Sequence, residues 1–338
     1  MDIDRSDESP LPSMTGIHTI DTHYLGRSRF AAAYLIVEGQ GVKGKRAAFV
    51  DNNTNAAVPT LLASLDAHDL APEDVEYLII THVHLDHAGG TSRLARACPN
   101  ATVIAHPRAA PHVIDPSKLV ASASAVYGQD EFKRLYGTIE PVAADRVRVM
   151  EDGESLNFGG RALRFLHTRG HANHHFCIAD DASGAIFTGD AFGLLYPALQ
   201  TEGTFAFPST SPTDFEPDLA REAVRRLVDE RPTCLYPTHF GAVTDIEPAA
   251  GQLLRHLDFA EALRDEAERS DRPDDELAAY CRSRLNDYFA GLLDGRGTLG
   301  TEPDTWSLIE LDLDLNAQGI AFAANKRRRK QRNQAMDK

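Results

Sequence analysis

Short apolar blocks, punctuated by Gly, Pro, Asp and Asn, run through most of the chain. Residues 31–37 (AAAYLIV) and 46–50 read as strands. Residues 58–66 switch to helical spacing, and Pro59 is tolerated there because a first-turn N–H has no intrahelical partner to lose. Residues 75–81 (VEYLIIT) are an apolar run suited to a buried strand. Helical spacing resumes over 90–97, and 101–105 reads as another strand. Residues 106–140 are less regular, hold several prolines, and are expected to form short helices in an excursion over a site. Strands are predicted at 146–150, 162–167, 176–179, 185–188 and 233–236, with a helix over 215–229 capped by Asp214. From about residue 248 the pattern is mainly helical, and Trp306, Ile309, Leu313 and Ile320 mark an amphipathic helix over 305–324. Strands mixed with helices indicate an α/β protein, and hairpin-like strand pairs argue against a simple alternating parallel sheet.

Composition narrows the function classes. The chain has 338 residues, 42% of them hydrophobic, enough for one large core or two modest ones. Its 35 basic and 50 acidic side chains give a formal charge of −15. Such a surface repels nucleic-acid phosphates and anionic membranes, which leaves a small-molecule partner, with homodimerisation kept open. No run approaches the roughly 18 apolar residues of a membrane span. Residues 1–14, rich in Asp, Ser and Pro, are expected to be a disordered leader without the basic start and apolar centre of a secretory signal, so a cytoplasmic location is expected. Cys98, Cys177, Cys234 and Cys281 lie far apart, form no CxxC pair, and read as reduced, mostly buried thiols. The basic run at 326–330 reads as a solvated helix end or tail.

The chemistry concentrates in His82-Val83-His84-Leu85-Asp86-His87, which follows a buried strand and precedes Gly89-Gly90 and a helix. Side chains two apart in an extended segment share a side, so His82 and His84 can grip one ion together. The turn into the helix redirects Asp86 and His87 towards a second ion. Any one of these residues alone would more often be an ordinary loop or core side chain; the cluster taken whole reads as a metal site.

This pattern resembles the metallo-β-lactamase superfamily, which carries HxHxDH at such a strand-to-helix turn. Gly170-His171, Thr188-Gly189-Asp190 and Thr238-His239-Phe240-Gly241 follow in the family's order, each after a predicted strand, and Phe49-Val50-Asp51 matches its first motif. The resemblance covers about residues 16–245. It implies a four-layer αββα sandwich with a C-terminal helical extension. The expected organisation is a leader at 1–14, a catalytic domain at 15–247, a helical extension and possible lid at 248–325, and a basic tail at 326–338. It also implies that His82, His84 and His171 hold one divalent ion, that Asp86, His87 and His239 hold another, and that Asp190 bridges them. Imidazole with carboxylate suits zinc first, with iron or manganese as alternatives. Two close ions lower the pKa of a shared water, and the resulting hydroxide attacks an ester-like carbonyl or a phosphoryl centre. Asp86 is expected to orient that nucleophile and shuttle its proton.

Departures mark the weaker assignments. Gly170-His171-Ala172-Asn173-His174-His175 differs from the GHTPGH of glyoxalase II-like hydrolases, with Asn173 and His174 in place of Pro and Gly. Asp51, His174 and His175 are therefore candidates for supporting or substrate-contacting roles, and Tyr196 for a phenol near the substrate. His106 and His112 lie in the excursion and are expected to border the pocket at most. A glyoxalase II-like thioester hydrolase or a lactonase is favoured. The alternatives are a phosphodiesterase of the same fold, a diiron oxygen-binding or oxygen-activating protein, and a metal-stabilised scaffold without turnover.

Overall fold

The computed structural model describes residues 16–39, 44–210, 214–296 and 305–336. The predicted leader at 1–14 lies outside them. The first half of the chain builds one sheet from β1 (Ile17–Asp21), β2 (Ala32–Glu38), β3 (Arg46–Val50), β4 (Val75–Ile79), β5 (Thr102–Ala105) and β6 (Val147–Val149), in that spatial order. β1 to β3 pair antiparallel and β3 to β6 pair parallel. Helices α1 (Val58–Asp66), α2 (Leu85–Ala88) and α3 (Thr91–Ala97) lie between these strands, and the predicted excursion supplies α4 (Ala110–Ile114), α5 (Ser117–Tyr127) and α6 (Gln129–Tyr136).

The second sheet has the order β11-β10-β9-β8-β7, built from β7 (Ser155–Phe158), β8 (Arg161–His167), β9 (Phe176–Asp180), β10 (Ala185–Gly189) and β11 (Cys234–Pro237). β7 to β10 are antiparallel neighbours, and β11 joins β10 in parallel after helix α7 (Pro217–Asp229). The chain then forms α8 (Ile246–Arg269), α9 (Leu277–Asp294) and α10 (Thr305–Met336).

Alternation along β2 explains the layering. Ala32, Tyr34 and Ile36 point into an inter-sheet core with Leu163, Phe165, Ile178 and Phe187. Ala33, Leu35 and Val37 point outwards to a layer with Leu61 and Leu65 of α1 and Leu94 of α3. Both faces are covered, so the strand reads as a continuous apolar run rather than an alternating one. The outer face of the second sheet, through Leu166, Cys177, Ile186 and Leu235, meets Val224 and Leu227 of α7, Leu253 of α8, Phe289 of α9 and Leu313 of α10. This is a four-layer αββα sandwich with a C-terminal helical extension packed on one outer layer. The four cysteines are free and buried.

Two expectations, the cap of α7 and the set of strands, need revision. Asp214 does not cap α7: the helix starts at Pro217, and the Asp214 carboxylate accepts from the Asn173 N–H at 3.1 Å. Strands β1 and β7 were not predicted; β7 turns into β8 through Gly159 and Gly160, whose φ values of +63° and +99° suit a hairpin. The basic run at 326–330 lies in the last part of α10 and is mostly exposed, in keeping with a solvated helix end, although Arg328 donates to the Ala267 and Glu268 carbonyls at the end of α8 and pairs with Asp274 at 3.0 Å.

The layering makes a stability prediction. Phe165→Ala, fully buried between the sheets, is expected to cost about 3–5 kcal/mol. Phe322→Ala, at a side chain 43% exposed on α10, is expected to change stability by no more than about 0.5 kcal/mol. Urea denaturation with both variants checks this; equal costs would refute the layer assignment.

Candidate metal centre

The site forms where loops leave the carboxyl ends of strands from both sheets. After β4 the chain stays extended through His84, whose ψ is 146°, so His82 and His84 share a side. Their rings meet at His82 Nε2 to His84 Nδ1, 2.8 Å. The short helix α2 then turns Asp86 and His87 to a neighbouring position. Gly170 precedes His171 at φ +114°, tight against Leu219 and Ala220 of α7, where a side chain would clash. Gly189 precedes Asp190 at φ +48°, and a Cβ there would come within 2.6 Å of His175 Nε2. Both glycines let a ligand-bearing loop pass close under its neighbours.

Seven side chains converge in three overlapping groups: His82, His84 and His171; His82, His87 and Asp190; and Asp86, His87 and His239. His171 Nε2 lies 3.2 Å from His82 Nε2 and 3.0 Å from His84 Nδ1. The second nitrogen of each orienting ring shows which way its lone pair points. His171 Nδ1 faces the Ser209 carbonyl at 3.1 Å, and His239 Nδ1 faces the Phe30 carbonyl at 2.9 Å. A carbonyl can only accept, so both Nδ1 atoms carry the proton and both Nε2 lone pairs enter the site. Asp51 fixes His87 the same way, through Nδ1 at 2.7 Å. His87 Nε2 and Asp190 Oδ1 are 3.2 Å apart, and both are buried without a hydrogen-bond partner. Lone pairs aimed at one another, and orphaned buried polar atoms, are costly unless a cation collects them. The donor set of imidazoles and carboxylates therefore fits divalent metal.

The electrostatics divide the site into two halves. Burial, with His84, His87 and His171 nearby, pushes His82 well below its ordinary value; burial and His171 do the same to His84. Burial opposes protonation of His239 as well, but Asp86 and Asp190 outweigh it and lift this ring to about 9. Burial also opposes ionisation of Asp190, yet His87 and His171 hold that carboxyl well below the usual range. Asp86 is held at about 2, against burial, chiefly by His87 and His239. The acidic half thus attracts positive charge, for which protons and a metal ion compete.

The other candidates fall into place around this centre. Asp51, 1% exposed, accepts from Thr81 N at 2.8 Å, Thr81 Oγ1 at 3.0 Å and Thr238 Oγ1 at 2.8 Å besides His87. His175 is buried behind the site; its Nε2 accepts from the Asp190 N–H at 3.3 Å, and its Nδ1 bonds Thr168 Oγ1 at 2.8 Å. His174 lies over the His82 ring at 6.0 Å between centroids, and burial lowers its pKa to about 4. It lines a cavity of about 390 Å³ that opens on His84, Asp86, His171, Asp190 and His239. His112 borders the same cavity, whereas His106 packs at a tilt against His167, ring centroids 4.1 Å apart, outside its lining. Tyr196 does not offer its phenol to the cavity: the side chain is fully buried, and its hydroxyl donates to Asp312 Oδ2 at 3.0 Å.

Asp312 itself was missed. It stands on α10 with Leu311 and Leu315 in the cavity wall. Burial, reinforced by Asp190 and Asp86 and opposed by His239 and the Tyr196 hydroxyl, raises its carboxyl to about 7. A charged residue beside the apolar stripe of Ile309 and Leu313 was the available signal.

Comparison with known proteins agrees with this geometry. A family model described as the metallo-beta-lactamase superfamily matches residues 32–239. A metallo-beta-lactamase fold-containing protein of Sulfurisphaera tokodaii, ST1585, is 27% identical over 177 residues, covering 51% of this chain and 63% of the relative. A hydroxyacylglutathione hydrolase-like protein of Gallus gallus is 30% identical over 175 residues, covering 50% and 49%. The chain thus spans about half to two thirds of these relatives' own lengths. In fold, the crystal structure of ST1585 from Sulfolobus tokodaii superposes with a TM-score of 0.62 at 20% identity, covering 90% of this chain and 98% of that one. A metallo-beta-lactamase family protein of Thermus thermophilus, TTHA1429, gives 0.61 at 21% identity, covering 92% and 93%. With its family model matched across most of both sheets, the chain belongs to the metallo-beta-lactamase superfamily, whose fold is that of metal-dependent hydrolases.

Proposed function

We propose that this protein is a binuclear metal-dependent hydrolase that cleaves an ester-like bond, a thioester or a lactone, in a small molecule. The observation that carries this reading is the convergence of seven ligand-type side chains in three overlapping groups, with Asp190 3.2 Å from His87 and 3.5 Å from His171. His82, His84 and His171 would hold one ion, Asp86, His87 and His239 the other, and Asp190 would touch both. Zinc is the first choice for this donor set, with iron or manganese next. Bound divalent ions supply an activated water near neutral pH and polarise a carbonyl oxygen.

The chain's own residues do the rest. Asp86, ionised and at the cavity wall, is placed to orient the attacking water and accept its proton on a carboxylate oxygen. His174, neutral and over the His82 ring, lines the space a substrate would fill. The cavity volume suits a small molecule. The hydroxyacylglutathione hydrolase-like relative, matched over 49% of its length, supports thioester chemistry. Among the described residues no helix is long and apolar enough to cross a membrane, and a cytoplasmic setting is part of the proposal.

Two predictions test this. His171→Ala and Asp190→Ala are expected to lose metal and activity together. Elemental analysis of the purified variants beside an ester, thioester, lactone and phosphodiester panel checks it, and full activity with unchanged metal in either variant removes that residue from the centre. Asp51→Asn is expected to lower metal affinity about 10- to 100-fold, since the amide cannot satisfy every donor that the carboxylate now accepts from. Competitive chelator titration reads the loss; wild-type affinity would show that Asp51 does not set the ligand geometry.

A further inference from the structure

We propose that Asp312, carried into the cavity by α10, is a specificity-determining residue that accepts a hydrogen bond from an N–H or O–H of an uncharged substrate and turns anionic ones away, with Tyr196 as its positioning residue. This deepens the hydrolase reading above and rests on it for the identity of the cavity.

The first argument is placement. Asp312 lines the same cavity as Asp86, Asp190 and His239, but it comes from the extension and belongs to none of the metal-ligating groups. The second is rigidity. Tyr196 is fully buried, stacked on Phe30 with ring centroids 4.7 Å apart and edge-on to His239 at 6.1 Å. Its hydroxyl holds Asp312 Oδ2 at 3.0 Å. A carboxylate has acceptor capacity for several donors, so one phenol leaves Oδ1 available to a ligand. An acceptor fixed in this way favours a substrate that brings a donor, because a buried polar group left unpaired is penalised.

The third argument is charge. Among the described residues the cavity is lined by Asp86, Asp190, Asp214 and Asp312, and by a single lysine or arginine, the exposed Lys118. Asp86 and Asp190 would be outweighed by the charge of two divalent ions, so the metal end of the cavity would be cationic. Asp312 and Asp214 face the remainder of the space, outside the metal-ligating groups. A phosphodiester, or a thioester on a carrier bearing carboxylates, would bring like charge against them. Leu119, Leu311, Leu315 and Phe30 complete the wall and suit an apolar chain. The substrate class is therefore an uncharged ester or lactone with an apolar chain and one hydrogen-bond donor.

The test uses the whole chain, metal-loaded, at about pH 8, above the value of about 7 to which burial raises Asp312. The probes are three lactones of equal chain length: one with a side-chain secondary amide, one with a ketone in place of that amide, and one ending in a carboxylate. Calorimetric binding and steady-state kinetics are measured for each. Wild type is expected to bind the amide about tenfold more tightly than the ketone, and the carboxylate most weakly. Asp312→Ala should erase the amide preference, and Asp312→Lys should make the carboxylate the tightest of the three. Asp312→Asn, nearly isosteric and the safeguard against misfolding, should keep the amide preference and admit the carboxylate. Tyr196→Phe should raise KM for the amide several-fold with kcat little changed, whereas a merely structural role would lower kcat for all three alike. Equal binding of the three probes to wild type, no binding at millimolar concentration, or unchanged ratios in Asp312→Ala and Asp312→Lys overturns the assignment. Turnover of all three alike sinks Asp312 and leaves the hydrolase reading standing. The expected binding order without turnover of any probe sinks the hydrolase reading and leaves Asp312 as the selector.

Discussion

The Asp51 carboxylate is buried, and three of the segments that build the candidate metal centre answer to it. A buried ionised carboxylate is tolerable only when donors surround it. Here the donors come from Thr81 at the end of the β4 segment, His87 on α2, and Thr238 after β11. Each donor neighbours a ligand or is one: Thr81 precedes His82, and Thr238 precedes His239. Shifting any of these segments alone would orphan a buried charge, so the carboxylate holds them in one arrangement. Its own backbone is in the left-handed region at φ +57°, a conformation Asp accepts more readily than most residues. Support for the candidate ligands His82, His87 and His239 is thus built into the protein, by a residue outside the three groups that could hold a metal.

How much of this was legible in the sequence follows from the range of each signal. His82, His84, Asp86 and His87 could be read because their geometry is local: an extended step of two, then one turn of helix. Strand β2 could be read because burial on both faces leaves an unbroken apolar run over residues 31–37. His171, Asp190 and His239 lie far from that motif, and nothing local links them to it; resemblance to a family supplied them. Strand β1 was missed because IHTID offers two apolar side chains three apart, which fits neither strand alternation nor a buried run. Tyr196 shows the opposite failure. Its spacing from Asp190 suggested a phenol at the substrate, but spacing does not reveal that the hydroxyl is already committed to a residue on α10.

The C-terminal extension was expected as a cover, and its packing makes it more than that. Ile309, Leu313 and Ile320 of α10 join the cluster that α7, α8 and α9 form on the second sheet. On a helix, neighbours of such a stripe point partly sideways, and Leu311, Asp312 and Leu315 enter the cavity wall from that flank. The guanidinium of Arg328 ties the far end of the same helix to the carbonyls closing α8. The wall of the cavity is therefore anchored at both ends by the core rather than hung over the opening.

One contact carries this anchoring into the metal centre. Asn316, buried one turn beyond Asp312, accepts from Thr210 N at 2.6 Å and donates to the Pro208 carbonyl at 2.9 Å. Between those two residues lies Ser209, whose carbonyl sets the tautomer and direction of His171. The helix that shapes the substrate space thus also clamps the loop that aims a ligand. A change in α10 that re-formed the cavity would disturb His171 unless Asn316 kept its place. Specificity on this scaffold can then vary at positions such as Leu311, Asp312 and Leu315, on the cavity flank, while the Asn316 clamp stays fixed. Those two demands fall on different residues of one helix, Asn316 lying one turn from Asp312 on the same side, which is what allows one kind of chemistry to be aimed at different substrates.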